Sequence, residues 1–487
     1  MISRKSFLVL AVATCLVASA APLAGAVGSA AQASNVWAPA TSLGPLNLNP
    51  QSSLSAVDCQ AGSCIGVGHG DNGLTTSALV ANEVNGRWTQ QVLANSSGDN
   101  LVALSCQSTT CTAVGTYDNG SNREALVATE HAGSWTMTSL STTLSGASDV
   151  VPTSVSCTTS GCTMVGYYLD GTTQYSFYGT ETNGSWSEQA MTQAPSGSQA
   201  DQAMGVSCTT SACTAVGTYT TLDQATDATS THAFWASSAH GWTEEAIANP
   251  GQDANASLNA VSCLASNCSA VGEADNGNAI DGQALVASNS TGTWVAHTVT
   301  MQSAGMMNTS LNAIDCSGAV CNAVGESNSA TAQEAVTANN AGSGWTVSLL
   351  PVAAGIVNTD LGGLSCTSAN ACVAVGSSFD TSSSQGLEST SVARLTISSM
   401  PTSTARVGVR YSSRLTASGG SGTLQYQVVS GHLPRGLVLN ATTGWLTGMP
   451  NEAGTFAATI AVRCTGAPAQ RVTTALRITV AKKSGSR

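Results

Sequence analysis

Fourteen of the sixteen cysteines fall in seven close pairs, and this regularity constrains the fold more than any other feature of the chain. The pairs are Cys59/Cys64, Cys106/Cys111, Cys157/Cys162, Cys208/Cys213, Cys263/Cys268, Cys316/Cys321 and Cys366/Cys372. Six are spaced C-x4-C and the last C-x5-C, and the first cysteines recur every 47 to 55 residues. Two positions before each first cysteine stands an apolar residue: Val57, Leu104, Val155, Val206, Val261, Ile314 and Leu364. Three positions after each second cysteine comes Val-Gly, from Val67-Gly68 to Val375-Gly376. A repeat of this length with a tight turn at its centre is one supersecondary unit. It reads as strand, four-residue turn, strand, with the cysteines opposed across a hairpin.

Opposed residues of antiparallel strands lie within disulfide range. Closing so short a loop removes little chain entropy, so each bridge contributes about 2 kcal/mol. Zinc is the rival reading. It fails on spacing, because zinc knuckles use C-x2-C with a second pair or histidines, and no histidine recurs at a fixed place in these repeats.

Two further strands complete each repeat. The third reads Ala-Leu-Val-Ala in clear cases (Ala78–Ala81, Ala125–Ala128, Ala284–Ala287), and the fourth is led by Trp88, Trp135, Trp186, Trp242, Trp294 or Trp345. Four antiparallel strands per unit is the arithmetic of a propeller blade. The seventh repeat lacks a fourth-strand tryptophan, whereas Val36-Trp37-Ala38 precedes the first repeat without a blade of its own. Placing that segment in blade seven leaves no open edge. The expected fold class is all-β: a seven-bladed β-propeller with one disulfide per blade, followed by an Ig-like β-sandwich.

Charge marks the domain boundary. Between Asn35 and Leu395 there are 26 acids against three arginines and no lysine, a net of −23. From Thr396 onward Glu452 stands alone against eight arginines and two lysines, a net of +9. Residues 1–33, with a basic start, an apolar run and Ala31-Gln32-Ala33, read as a secretory signal peptide. The expected organisation is then propeller 34–395, linker and start of the tail domain 396–402, Ig-like sandwich 403–481 and basic tail 482–487. The expected setting is secreted, extracellular or cell-wall associated, with no further hydrophobic span and a monomeric chain.

Ser105-Cys106, Cys111-Thr-Ala-Val-Gly115 and Gly133-Ser-Trp135 resemble the units of a class of secreted actinobacterial repeat proteins, over roughly residues 50–395. That resemblance implies a secreted repeat domain and no particular activity. In the tail, Gly408-Val-Arg-Tyr411, Ser430-Gly-His-Leu-Pro-Arg-Gly-Leu437, Gly448-Met-Pro450 and Ala453-Gly-Thr-Phe456 resemble the Ig-like, cadherin-related domain of bacterial surface proteins. Cadherin-like relatives imply calcium, but with Glu452 as its sole acid the domain lacks the oxygen ligands that calcium wants. Cys464 has no partner within it and is read as a buried thiol rather than an intermolecular bridge.

No HExxH, GxSxG, GxGxxG or P-loop is present. Sialidases of propeller form use a Ser-x-Asp-x-Gly-x-Thr-Trp turn and an arginine triad, and neither is matched here. No pair of carboxylates stands out among the 26 acids of the repeats. Asp71, Asp118, Asp170, Asp275, Asp281 and Asp380 fall in loops on one rim. They read first as turn formers and second as a calcium-binding rim. Arg406, Arg410, Arg414, Arg435, Arg471 and Arg477 read as an anion-binding surface on the tail, or as the face that docks on its own acidic repeats. The expected function is non-catalytic binding and adhesion. Its partner would be an extracellular glycan, cell-wall polymer or protein, with no nucleic acid and no required cofactor. The alternative is an extracellular polysaccharide hydrolase or lyase.

Overall fold

A computed structural model describes residues 35–43, 51–60, 63–71, 75–93, 98–251, 255–275, 282–290, 292–301, 303, 305–340, 344–379, 383–466 and 468–483. The expected signal peptide, Asp281 and Asp380 lie outside these residues. Helix is confined to one 3-10 turn, Ser238–His240, among the described residues.

The repeats form seven antiparallel sheets, six of them built in chain order from their own four strands. The first repeat is typical, with strands Gln51–Gln60, Ser63–Asp71, Thr76–Val84 and Arg87–Leu93. The seventh takes its outer strands from the start of the chain. Asn35, Val36 and Trp37 pair with Ala393, Val392 and Ser391, and Thr41 and Ser42 pair with Glu388 and Leu387. Trp88, Trp135 and Trp186 lie in fourth strands as expected, whereas Trp242, Trp294 and Trp345 stand just before theirs.

Each close cysteine pair is joined as a hairpin disulfide. The bridges are Cys59–Cys64, Cys106–Cys111, Cys157–Cys162, Cys208–Cys213, Cys263–Cys268, Cys316–Cys321 and Cys366–Cys372, with Cα–Cα separations of 3.9–4.1 Å. The partners are directly opposed in register, and in the seventh pair, with one residue more between its cysteines, a register shift between Cys366 and Ser368 takes up the extra residue. Cys64, Cys111, Cys268, Cys321 and Cys372 are buried, and Cys162 and Cys213 are half-buried beside the apolar clusters of their repeats.

Beside each bridge is a contact that joins one repeat to the next. The residue before each first cysteine accepts a hydrogen bond from the backbone N–H of the following repeat's first cysteine. Asp58 serves Cys106, Ser105 serves Cys157, Ser156 serves Cys208, Ser207 serves Cys263, Ser262 serves Cys316 and Asp315 serves Cys366, all at 2.7–3.1 Å. The series returns to its start when Ser365 accepts from Cys59 at 2.9 Å. The apolar packing follows the same order, with one buried cluster at each seam between neighbours. The last of these sets Val375 of the seventh repeat against Leu54, Val57 and Leu79 of the first.

Every first strand carries a β-bulge four residues before its cysteine, at Ser55, Val102, Thr153, Met204, Asn259, Asn312 and Gly362. A bulge adds a residue to one strand, bends it and re-aims a side chain. The glycine of each Val-Gly pair faces the backbone just before the bulge. A Cβ there would lie 1.8–2.2 Å from the carbonyl oxygen of the opposing strand, for example 2.0 Å from Ser257 at Gly272. No residue with a side chain fits that approach.

The tail is a β-sandwich. A four-stranded sheet contains Thr404–Arg406, Leu424–Gly431, Gly454–Cys464 and Arg471–Ala481, and it faces a three-stranded sheet of Tyr411–Arg414, Leu437–Leu439 and Trp445–Gly448. Between them Leu415, Tyr426, Leu446, Ile460, Val462 and Ile478 form the core. Thr396–Ser399, within the expected linker, is a strand that pairs with Thr416–Ser418. Gln470 ties the sandwich to the repeats, accepting from Leu395 N–H at 2.6 Å and donating to the Ala393 carbonyl at 3.1 Å. Cys464 is a free, buried thiol. Among the described residues no helix is long and apolar enough to cross a membrane.

Candidate functional site: carboxyls at an axial mouth

The bulges decide where the repeats converge. A cavity of about 190 Å³ is lined by the same three positions of all seven repeats, from Ser55-Ala56-Val57 to Gly362-Gly363-Leu364. Alanine or glycine holds the middle position in six of the seven, which lets the strands approach closely. A second cavity of about 350 Å³ shares Met204 and Asn259 with it, so the two adjoin. This outer one is lined by Gln202, Thr218, Asn255, Ser257, Glu273 and Asp275 among others.

Glu273 lines this mouth, and Glu326 and Asp360 of the next two repeats lie close enough for their charges to act on one another. Glu273 and Glu326 occupy the same place, directly after the Val-Gly pair of repeats five and six. Asp360 lies in the first strand of repeat seven, opposite the equivalent residue, Ser377. The Asn312 side-chain amide holds Glu326 with one hydrogen bond and reaches the Leu361 carbonyl at 3.2 Å with another. Asp360 accepts from the Ser377 hydroxyl at 2.6 Å and its N–H at 2.9 Å.

Loss of hydration raises all three carboxyls. Glu326 is pushed up to about 7, by burial first and then by the negative charges of Asp360 and Glu273, against the opposing bond from Asn312. Glu273 is raised by burial and by Asp275 even though solvent reaches it. Asp360 is raised by burial, with its Ser377 bonds working the other way. His69, at the place equivalent to Glu273 and Glu326 in the first repeat, is lowered by burial. A carboxyl pushed up to about 7 beside one whose charged form accepts two hydrogen bonds, as Asp360 does from Ser377, can act as an acid while its neighbour acts as a base.

Other raised acids have structural work. Asp58 and Asp315 belong to the series of contacts between repeats, and burial lifts Asp315 to about 6. Glu388 accepts from the Trp88 indole at 2.6 Å, across the seam between the last and first sheets.

Of the expected rim acids among the described residues, Asp275 alone lines the mouth, and it accepts from the Asn255 amide at 2.9 Å. Asp118 accepts from Gly120 N–H at 2.8 Å, which is turn chemistry. Asp71 and Asp170 end second strands. Among the described residues no group of three or more His, Cys, Asp or Glu is placed to hold a metal ion. On the tail, Arg406, Arg410, Arg414, Arg435, Arg471 and Arg477 are all exposed. Among the described residues the ion pairs are Arg123–Asp149 and His240–Glu245, so no tail cation meets an acid of the repeats.

Sequence reading missed Glu273, Glu326 and Asp360. Their shared signal was available in part, since Glu273 and Glu326 both follow Val-Gly directly. Asp360 comes from the other strand of its hairpin, and no spacing links it to them.

The family model described as "Putative Ig domain" matches residues 393–481. No curated protein matches the chain. Among solved structures, the chain is similar to the phage phi92 endosialidase at 7% identity, over 93% of this chain and 88% of that one, with a TM-score of 0.41. It is similar to the Bacillus subtilis arabinanase Arb43A at 11% identity, over 52% of this chain and 99% of that one, with a TM-score of 0.31. A protein of unknown function from Dyadobacter fermentans matches at 11% identity, over 74% and 99%, with a TM-score of 0.36. The expectation of a non-catalytic binding and adhesion protein is corrected here. What overturns it is the grouping of Glu326, Glu273 and Asp360, each raised by burial and the first two also by neighbouring negative charge. Likeness this distant carries no chemistry by itself, so the weight falls on the carboxyls.

Proposed function

We propose that this chain is an extracellular polysaccharide hydrolase, with Glu326, Glu273 and Asp360 as its catalytic carboxyls. The observation that carries the reading is the grouping of three carboxyls from consecutive repeats, Glu326 held by Asn312 and pushed up to about 7 by burial and by the charges of Asp360 and Glu273. Glycoside hydrolysis needs such a division: one carboxyl protonates the leaving oxygen, and a second activates water or attacks the sugar. Glu326 is the general acid, and Asp360 or Glu273 the base or nucleophile. Asn312 orients the acid from the wall of the axial cavity.

The scaffold we propose is a closed seven-bladed propeller over residues 34–395, with the Ig-like domain following. Seven sheets, apolar seams in cyclic order and the returning series of hydrogen bonds support it. Seven disulfides support an oxidising, extracellular setting.

The test is release of reducing ends from a panel of polysaccharides that includes arabinan and polysialic acid. Glu326→Gln should lower turnover by about 100-fold or more, the range for loss of a general acid. A panel left uncut by the wild-type protein, or cut equally by the variant, overturns the proposal.

A further inference from the structure

The tail carries a second site, separate from the axial mouth. Arg463 and Arg471 stand directly opposite each other on the antiparallel strands Gly454–Cys464 and Arg471–Ala481. Like charges placed so are destabilising, and neither is offset by an ion pair among the described residues. Arg463 is held in place. Its Nε and Nη2 both donate to Gln425 Oε1, at 2.9 and 2.7 Å. The two guanidinium groups line an open groove of about 820 Å³, with Gln427, Thr442, Thr465 and Gln470. Two exposed arginines kept adjacent at a cost, one of them already oriented, make a site for an anion.

We propose that this groove binds an acidic polysaccharide, with Arg463 and Arg471 gripping a uronate carboxylate. Planar guanidinium forks match planar carboxylates two bonds at a time. The remaining lining mixes Ala441, Ala461 and Ala469 with amides and hydroxyls such as Gln427 and Thr442, and the polar groups suit sugar hydroxyl groups. No lysine lines the groove. Its volume exceeds that of a single small anion and falls in the range of sites that enclose a sizeable ligand. The repeats carry a net charge of −23 and repel a polyanion, so the domain at +9 is the part that can hold one. The site stands whether or not the axial mouth is catalytic.

Binding of the whole secreted protein to polygalacturonate tests the proposal, with neutral dextran and polyphosphate as comparisons. The double variant R463A/R471A should bind polygalacturonate at least about tenfold more weakly, the worth of one charge-assisted contact. Its melting temperature should hold or rise, because the like-charge contact is gone. R463K/R471K keeps both charges and should lose most of the affinity, whereas R410A/R477A removes the same charge elsewhere and should retain it. Three results would overturn the idea: full binding by R463A/R471A, equal weakening by R410A/R477A, or preference for polyphosphate over polygalacturonate.

Discussion

Cys59 in the first repeat donates its backbone N–H to the Ser365 hydroxyl in the last, at 2.9 Å across 306 positions of chain. Six equivalent contacts link the other neighbours, so this one is the member that returns the series to its start. Its removal is expected to loosen the seam between the first and last sheets. Ser365→Ala leaves the Cys59 N–H without its partner, at a cost of about 1 kcal/mol. The melting temperature should fall by a few degrees, and Ser207→Ala, inside the series, should cost the same. A Ser365→Ala protein as stable as wild type would mean that this contact bears no load.

The outer edge of the seventh sheet depends on the first described residues. Deleting residues 35–42 removes the partners of Ser384–Ala393 and bares an unpaired strand. Aggregation measured by light scattering should increase sharply. A deletion protein that stays monomeric and melts unchanged would show that the edge is protected by other means.

The glycine after each valine is fixed by close approach. At Gly272→Ala the new Cβ would meet the Ser257 carbonyl oxygen at 2.0 Å, and backbone cannot step aside cheaply. The expected loss exceeds about 4 kcal/mol, in the exceptional class for one substitution. Gly344→Ala is the control, because nothing lies within 4 Å of its Cβ position. Denaturant midpoints of the two variants should differ widely, and matched midpoints would refute the steric account.

Much of the architecture was legible before any coordinates, for identifiable reasons. A cysteine pair fixes a hairpin, and its repetition fixes a count. The cluster at Val36-Trp37 without a sheet of its own pointed to the seventh repeat, where it pairs. The bulge was invisible, because it is a property of register, and Ser55, Val102 and Gly362 share no chemistry. The site was hidden too. Glu273, Glu326 and Asp360 come from three different hairpins and meet only through the packing of neighbouring sheets, whereas Asp118, conspicuous in sequence, serves its own turn.

The disulfides should prove local and additive. Non-reducing peptide mapping should recover the seven hairpin bridges Cys59–Cys64, Cys106–Cys111, Cys157–Cys162, Cys208–Cys213, Cys263–Cys268, Cys316–Cys321 and Cys366–Cys372, with Cys464 labelled only after unfolding. Reduction should destabilise without abolishing the fold, since each short loop accounts for about 2 kcal/mol. A bridge between different repeats would refute the hairpin assignment.

The raised carboxyls set a pH dependence whose sign is fixed. An acid whose folded pKa lies above its unfolded value binds its proton more tightly when folded. The stability it contributes is complete below the unfolded value and is lost as pH rises through the folded one. Asp315 spans 3.8 to about 6, Glu326 spans 4.5 to about 7, and Glu244 spans 4.5 to about 8. Burial dominates at each, and at Glu244 the adjacent charge of Asp201 adds to it. The melting temperature should therefore be highest near pH 4–5 and decline steadily toward pH 8. Charge repulsion among the remaining acids of the repeats acts in the same direction. Glu244 and Asp201 are both buried, so their pair isolates the effect. Glu244→Gln fixes the neutral form, and it should flatten the decline between pH 5 and pH 8 while leaving the acid limb in place. A variant whose profile superimposes on wild type would show that Glu244 does not titrate in this window, and a wild-type protein most stable at pH 8 would reverse the sign of the whole argument.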